Sequence, residues 1–163
     1  MTKRHEGKSM LVTGAAGAIG FATCEILARE GARVMMVDVD EGGLAERVEA
    51  MTKAGYEAIG HVADVSDEAQ TIGYAEAALS SFGQVDGFFN NAGIEGNLGP
   101  THTYDVDEFD KVLRVNLRGM FLGLRYVLPD MVKRGSGAVV NTASIGSERG
   151  LAGACAYNAA KHG

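Results

Sequence analysis

The sequence predicts an α/β fold of the doubly wound type, with helices on both faces of a parallel sheet. Short apolar segments alternate with longer segments of helical periodicity along the whole chain. Strands buried on both faces read as near-continuous apolar runs, and parallel strands need helical crossovers between them. Because such crossovers are almost always right-handed, the helices should cover both faces of the sheet.

The individual elements are predicted from apolar runs, helical spacing and turn residues. The predicted strands are residues 9–13, 33–37, 57–62, 85–90 and 137–142. The predicted helices are residues 18–29, 41–54, 67–82 and 106–133, with a further helix beginning near Ala154. Pro129 should bend or break the long helix near its end, because proline has no N–H to donate.

Composition and charge restrict the class of protein. The 163 residues are 46% hydrophobic and 22% charged, with a net charge of −6 and no long basic run. One soluble domain over residues 1–163 is expected, and nucleic acid is a disfavoured partner. No apolar stretch reaches the roughly 20 residues that span a membrane, and the polar N-terminus does not look like a signal peptide. Cys24 and Cys155 have no metal-ligand spacing, so free thiols in a reducing cytoplasm and no catalytic metal are expected.

A glycine-rich turn follows the first predicted strand. The segment 13–20 reads Thr-Gly-Ala-Ala-Gly-Ala-Ile-Gly and leads into the first predicted helix. Small residues let the backbone turn sharply and approach a ligand, and the helix N-terminus offers unpaired N–H groups to a pyrophosphate. The same turn is compatible with simple packing of a strand against a helix, so its position after the first strand carries the prediction. The residues predicted to contact a dinucleotide here are Gly14, Gly17, Ala18, Ile19 and Gly20.

Asp38 lies at the C-terminal end of the second predicted strand, directly after residue 37 and 18 residues after Gly20. A carboxylate at this position can accept hydrogen bonds from the ribose hydroxyls of an adenine dinucleotide, and it repels a 2′-phosphate. The glycine turn contains no Lys or Arg that could neutralise such a phosphate. The pattern favours NAD over NADP, with a solvated turn carboxylate next to Asp40 and Glu41 as the alternative interpretation.

Further short motifs follow the third, fourth and fifth predicted strands and lie in two helices. They are Asp64-Val65, Asn90-Asn91-Ala92-Gly93, Asn116, Ser144 and Tyr157-Asn158-Ala159-Ala160-Lys161. In this order, and together with the glycine turn, they make essentially the whole chain resemble the short-chain dehydrogenase/reductase family. The resemblance implies a Rossmann-type doubly wound sheet. The family usually has glycine at the position of Ala18, whereas in this chain the glycine comes one residue earlier, so a modest adjustment of the turn is expected.

The resemblance also implies roles for these residues. Asp64 and Val65 would contact the adenine, and Asn91, Ala92 and Gly93 would line the cofactor site. Asn116 would hold a water that connects Lys161 to bulk solvent. Family members continue beyond the position of Gly163, so the sheet is expected to be incomplete on its C-terminal side. Their long helix and their last helix form a subunit interface, which implies a homo-oligomer, dimer or tetramer, when full length.

Tyr157 and Lys161 are four residues apart, so both project from one face of a helix. Oxidising an alcohol requires a group that removes the hydroxyl proton while a hydride leaves the carbon. A free phenol is a poor base near neutral pH because its pKa is about 10, and a cation about 4 Å away favours the phenolate by roughly 4 kcal/mol. Ser144 could hydrogen-bond the substrate oxygen and hold it beside the phenol. Outside this context, a Tyr-x-x-x-Lys pair is commonly a surface feature of a helix.

Two glycine-rich segments, residues 94–104 and 145–154, are expected to border the substrate, and Arg149 is their only arginine. The predicted function is hydride transfer between NAD(H) and a neutral, cyclic or hydrophobic secondary alcohol or ketone. The alternatives are a 3-oxoacyl reductase of the same family and a non-catalytic fragment that binds a nucleotide or a partner. The expected catalytic residues are Asn116, Ser144, Tyr157 and Lys161.

Overall fold

A computed structural model of the chain describes residues 3–163. The strands β1 to β5 are Ser9–Thr13, Arg33–Asp38, Ala58–Val62, Gly87–Asn90 and Ala138–Asn141. The helices α1 to α6 are Ala18–Arg29, Glu41–Lys53, Glu68–Phe82, Val106–Leu113, Gly119–Arg134 and Cys155–His162. A π-helical segment, Arg114–Arg118, joins α4 to α5, and short 3-10 turns occur at Thr101–Thr103 and Ile145–Ser147.

All five strands lie in one parallel sheet, in the order β3-β2-β1-β4-β5. The order of the strands reverses between β1 and β4, since the chain first adds strands on one side of β1 and then on the other. In sheets of this kind ligands bind outside the carboxyl ends of the strands at the point of reversal. The doubly wound fold is confirmed, and the residues expected to bind the cofactor follow the strands at this edge.

The two faces of the sheet carry separate hydrophobic cores. Along β2, Val34 and Met36 belong to one core, and Met35 and Val37 belong to the other. Successive side chains of a strand point to opposite faces, so an unbroken apolar strand feeds both cores. The α1 and α2 helices cover the first face, and α3 and α5 cover the second. The near-continuous apolar runs of the sequence therefore reflect burial on both sides.

Aspartates cap the N-termini of three helices. Asp40 accepts a hydrogen bond from the Gly43 N–H at 3.1 Å, and Asp67 accepts one from the Gln70 N–H at 2.9 Å. Asp105 caps α4 in the same way. Each side chain satisfies one of the N–H groups that have no partner within the first turn. The helix predicted from residue 67 accordingly begins at Glu68, with Asp67 as its cap.

The long helix differs from its prediction in where it is irregular. The helix continues through Pro129 to Arg134. Of the two predicted effects of Pro129, a bend or a break, the break is therefore wrong. A proline costs one main-chain hydrogen bond, and near the end of a helix few others depend on it. The irregularity is instead the segment Arg114–Arg118, where the Gly119 N–H donates to the Arg114 carbonyl, five residues back.

Candidate active site

The glycine-rich turn between β1 and α1 is tightly packed. Gly14 has a left-handed backbone, with φ of +68°, which favours glycine at this position. A Cβ on Gly20 would lie 2.0 Å from the Gly14 carbonyl oxygen, so no other residue fits there. The turn therefore brings the N-terminus of α1 close to the carboxyl end of β1, where its first N–H groups face the crevice.

Ala18 lies immediately after this turn. The residue is the first of α1, and Gly17 before it is the N-cap, with φ of −71°. A Cβ on Gly17 would lie 3.4 Å from the nearest heavy atom outside its chain neighbours, an ordinary contact. Glycine is thus required at positions 14 and 20 and not at position 17.

Asp38 is the last residue of β2, and its carboxylate accepts hydrogen bonds from two main-chain N–H groups, one of which belongs to the glycine turn. Its Oδ2 accepts a hydrogen bond from the Ala16 N–H at 2.9 Å, and its Oδ1 accepts one from the Asp40 N–H at 3.0 Å. The half-buried carboxylate is therefore held in one orientation beside the glycine turn. A carboxylate offers about four lone-pair positions, so both oxygens can still accept hydrogen bonds from a ligand.

A network of side chains joins the ends of β1, β4 and β5. The buried hydroxyl oxygen of Thr13 accepts from the N–H groups of Asn91 and Ala92, at 3.0 and 3.1 Å. The Asn91 amide donates to the Thr13 carbonyl at 3.0 Å, and its Oδ1 accepts from the Thr142 hydroxyl at 2.9 Å. Asn91, predicted to contact the cofactor, lines the cavity while its side chain also fixes the three strand ends.

Asn116 is buried in the π-helical segment, with 2% of its surface exposed. Its Oδ1 accepts from the Ile94 N–H at 2.8 Å, and its Nδ2 donates to the Ile94 carbonyl at 2.7 Å. The main-chain N–H and carbonyl of Ile94 are thus both bonded to the Asn116 side chain. The loop after β4 is anchored to the long helix at this point.

Ser144 follows β5 and begins a 3-10 turn. Its hydroxyl oxygen accepts from the Gly146 N–H at 3.1 Å, while the Ser147 hydroxyl accepts from the Ser144 N–H. The Tyr157 ring packs against the same turn, since a Cβ on Gly146 would lie 3.2 Å from the Tyr157 Cε1. The glycine at position 146 lets the tyrosine of α6 approach the serine that follows β5.

Lys161 lies one helical turn after Tyr157. Its Nζ is 5.8 Å from the centre of the Tyr157 ring and donates a hydrogen bond to the Thr142 carbonyl at 2.7 Å. Burial lowers the pKa of the Lys161 ammonium group, because a charge is less well solvated there. The cation is therefore held next to the phenol by the end of β5.

A hydrogen bond joins the two segments predicted to border the substrate. The Gly99 N–H donates to the Gly153 carbonyl at 2.8 Å. Gly153 has φ of +78°, a conformation that favours glycine. The loop after β4 and the segment before α6 are therefore tied together at the rim of the crevice.

One cavity of about 1020 Å³ brings the predicted residues together. All of them line it except Asn116, which lies behind its wall. The predicted residues in the lining are Gly14, Gly17, Ala18, Ile19, Gly20, Asp38, Asp64, Val65, Asn91, Ala92, Gly93, Ser144, Tyr157 and Lys161. A cavity of this size, with glycines where the backbone turns and the start of a helix at its edge, fits an extended dinucleotide.

Several lining residues were not predicted as site residues. Thr142 supplies the carbonyl that holds Lys161, and Glu95 and Lys111 bring charges into the cavity. The position of Thr142 at the carboxyl end of β5 was a usable signal, because sites of this fold collect there. No group of His, Cys, Asp or Glu within residues 3–163 is arranged to hold a metal ion.

Comparison with known proteins agrees with this geometry. The family model for short chain dehydrogenase matches residues 8–163. The chain belongs to this family. The chain is 49% identical to levodione reductase from Leifsonia aquatica, over 99% of the chain and 61% of that protein. It is 33% identical to cyclohexanol dehydrogenase from Acinetobacter sp. (strain SE19), over 100% of the chain and 65% of that protein.

Solved structures have the same fold. A levodione reductase structure superposes with a TM-score of 0.95 at 49% identity, covering 98% of this chain and 63% of that one. An NAD⁺-bound xylitol dehydrogenase has a TM-score of 0.95 at 37% identity, covering 98% and 62%. The chain thus spans slightly less than two thirds of the length of these relatives. None of the helices described for it is long and apolar enough to cross a membrane.

Proposed function

We propose that the protein is an oxidoreductase that transfers a hydride between NAD(H) and a secondary alcohol or ketone. The observation that carries the proposal is one cavity lined by the glycine turn, Asp38, Ser144, Tyr157 and Lys161. The first two are suited to a dinucleotide, and the last three are suited to moving a proton at an alcohol oxygen. A bound nicotinamide cofactor would supply the hydride acceptor for oxidation and the hydride donor for reduction.

Tyr157 is proposed to take the proton from the alcohol in oxidation and to return it in reduction. The Lys161 ammonium group beside the ring favours the phenolate, because opposite charges attract more strongly in a partly shielded site. The Ser144 hydroxyl is proposed to donate to the substrate oxygen and orient it towards the phenol. This hydroxyl accepts a bond from the Gly146 N–H, so its own proton is available for that purpose.

Asn116 is proposed to help connect Lys161 to bulk solvent through a water molecule. Both ends of its side chain are bonded to Ile94, so we assign the water contact to main-chain groups of the π-helical segment. The departure from α-helical bonding at Arg114–Arg118 changes which carbonyls are free to accept.

NAD is proposed as the cofactor in preference to NADP. Residues 14–20 and 38–40 contain two aspartates and no Lys or Arg. The Asp38 carboxylate is already fixed by two N–H groups, which supports its proposed role as the acceptor for the ribose hydroxyls. A 2′-phosphate placed there would meet a like charge with no cation to offset it.

The proposed substrate is a neutral secondary alcohol or ketone, cyclic or otherwise apolar around the reacting carbon. Ile94 and Leu151 line the cavity that contains Ser144 and Tyr157. A relative named for its action on cyclohexanol supports a ring-shaped substrate. The full-length protein is further proposed to be a homo-oligomer through the long helix, where Leu117 and Phe121 are exposed apolar residues.

The test uses the complete protein and a panel of secondary alcohols with NAD⁺, followed by absorbance of the reduced nicotinamide. Wild type should reduce NAD⁺ with at least one cyclic alcohol, and Tyr157→Phe should lower kcat at least about 100-fold. Tyr56→Phe, a partly buried tyrosine of the α2–β3 connection that does not line the cavity, is the matched control. Binding of NADH is measured in each variant. Normal binding by a wild type that oxidises no alcohol would support the alternative of a non-catalytic nucleotide-binding protein.

A further inference from the structure

Glu95 is an exposed residue that brings a negative charge into the cavity where the chemistry is proposed. The residue follows Ile94 in the loop after β4 and lines the same cavity as Ser144 and Tyr157. None of the ion pairs among residues 3–163 uses its carboxylate. The neighbouring cation Lys111 faces Glu108, with 3.8 Å between Nζ and Oε2. The Glu95 charge is therefore left for a ligand or for solvent.

The main chain on both sides of Glu95 is fixed. Before it, the N–H and carbonyl of Ile94 are both bonded to the buried Asn116 side chain. After it, Gly96 has φ of +75°, and a Cβ there would lie 2.5 Å from the Val112 Cγ2. Gly96 is thus pressed against α4 in a conformation that favours glycine. A residue held between two such points presents its side chain from a constant position.

We propose that Glu95 is a specificity-determining residue that accepts a hydrogen bond from a second hydroxyl group on the alcohol substrate. The proposal rests on the function proposed above and narrows its substrate class to diols and related polyhydroxy compounds. A carboxylate is a strong acceptor for a hydroxyl donor, and a substrate without that donor leaves the carboxylate unpaired when water is displaced.

The lysines of the cavity disfavour a cationic donor at Glu95. The aspartates that also line the cavity, Asp38, Asp40 and Asp64, lie at the ends of β2 and β3, on the other side of β1 from Glu95. Lys111 and Lys161 line the same cavity, so an ammonium group on the substrate would meet like charges. A carboxylate or phosphate on the substrate would in turn be repelled by Glu95 itself. A hydroxyl group can donate to Glu95 without repulsion by the lysines or by Glu95 itself.

The experiment compares kcat/KM for cyclohexanol with kcat/KM for the 1,2-, 1,3- and 1,4-cyclohexanediols in the complete protein. Glu95→Ala removes the acceptor, and Glu95→Gln keeps an acceptor oxygen without the charge. Glu148→Gln is the matched control, since this exposed glutamate lies on the neighbouring loop and does not line the cavity. A fifth substrate, 4-hydroxycyclohexanecarboxylate, measures the rejection of anions.

Wild type should prefer at least one diol to cyclohexanol, and Glu95→Ala should lower that ratio about tenfold, the loss expected for one hydrogen bond to a charged group. Glu95→Gln should lower the preference for the diol over cyclohexanol by a smaller factor. Both variants should raise the rate with the carboxylate substrate relative to cyclohexanol, and Glu148→Gln should change neither ratio. This inference alone is overturned if the kcat/KM for diols relative to cyclohexanol is equal in wild type and Glu95→Ala. It is also overturned if wild type prefers cyclohexanol to every diol. Absence of any alcohol oxidation by wild type overturns the proposed function as well.

Discussion

The Lys161 ammonium group donates a hydrogen bond to the Thr142 main-chain carbonyl at 2.7 Å. This contact joins the last helix of the described chain to the carboxyl end of β5. It provides an acceptor for one N–H of a half-buried cation, and the neighbouring phenol ring of Tyr157 shields another side. The remaining cost of burial is seen in the lowered pKa of Lys161.

Lys161 should make folding stability depend on pH in the alkaline range. Its pKa in the folded chain lies below the ordinary value of 10.5, so the unfolded chain binds more protons between those two values. The contribution of Lys161 to stability should therefore rise as pH increases through that window. Lys161→Met removes the titrating group. As pH rises, the unfolding free energy of wild type should therefore increase relative to that of the variant. Urea unfolding at a series of pH values between 7 and about 10 measures it, and a difference that stays flat would contradict the expectation.

Gly20→Ala should destabilise the turn between β1 and α1. The new Cβ would lie 2.0 Å from the Gly14 carbonyl oxygen, which is main chain and has little freedom to move. We expect a loss of about 2 kcal/mol or more in the free energy of unfolding, together with weaker binding of NADH. Gly17→Ala is the matched control, because its Cβ meets only an ordinary contact at 3.4 Å, and it should cost under about 1 kcal/mol. Equal effects of the two substitutions would argue against a steric requirement at position 20.

Asn116→Ala should destabilise the loop after β4. The substitution leaves the N–H and the carbonyl of Ile94 without their partners, at a cost of about 1–3 kcal/mol for a buried group. Hydrogen exchange should show faster opening at Ile94 in particular, which distinguishes this effect from a general loss of stability. Asn97→Ala removes an exposed amide from the same loop and should leave the unfolding free energy nearly unchanged. An Ile94 amide that stays protected in Asn116→Ala would refute the anchoring role.

The parts of the site that follow strands could be predicted from the sequence. Asp38 comes directly after an apolar run, and Ser144 comes three residues after the end of β5. The carboxyl ends of parallel strands meet at one edge of the sheet. Tyr157 and Lys161 share a helix, so their spacing alone places them on one face. These arguments need only local periodicity and the topology of the fold.

Contacts that depend on main-chain groups could not be predicted in this way. Every residue has a carbonyl, so nothing in the sequence marks Thr142 as the acceptor for Lys161 or Ile94 as the partner of Asn116. The residue types of the π-helical segment Arg114–Arg118 likewise do not distinguish it from an ordinary α-helix. The segment 94–104 was expected to border the substrate, but Glu95 was not singled out, because its placement depends on the left-handed turn at Gly96 and on packing against Val112.

The bond between Gly99 and Gly153 joins main chain to main chain, so it involves no side chain of either loop. Most neighbouring positions can therefore change while the two loops stay connected, provided that glycine is kept at position 153. The hydrogen bond thus fixes the main chain of the two segments and leaves the identity of most of their side chains free. Related enzymes could acquire different substrates by replacing the lining and still keep α6, with its tyrosine and lysine, in the same place.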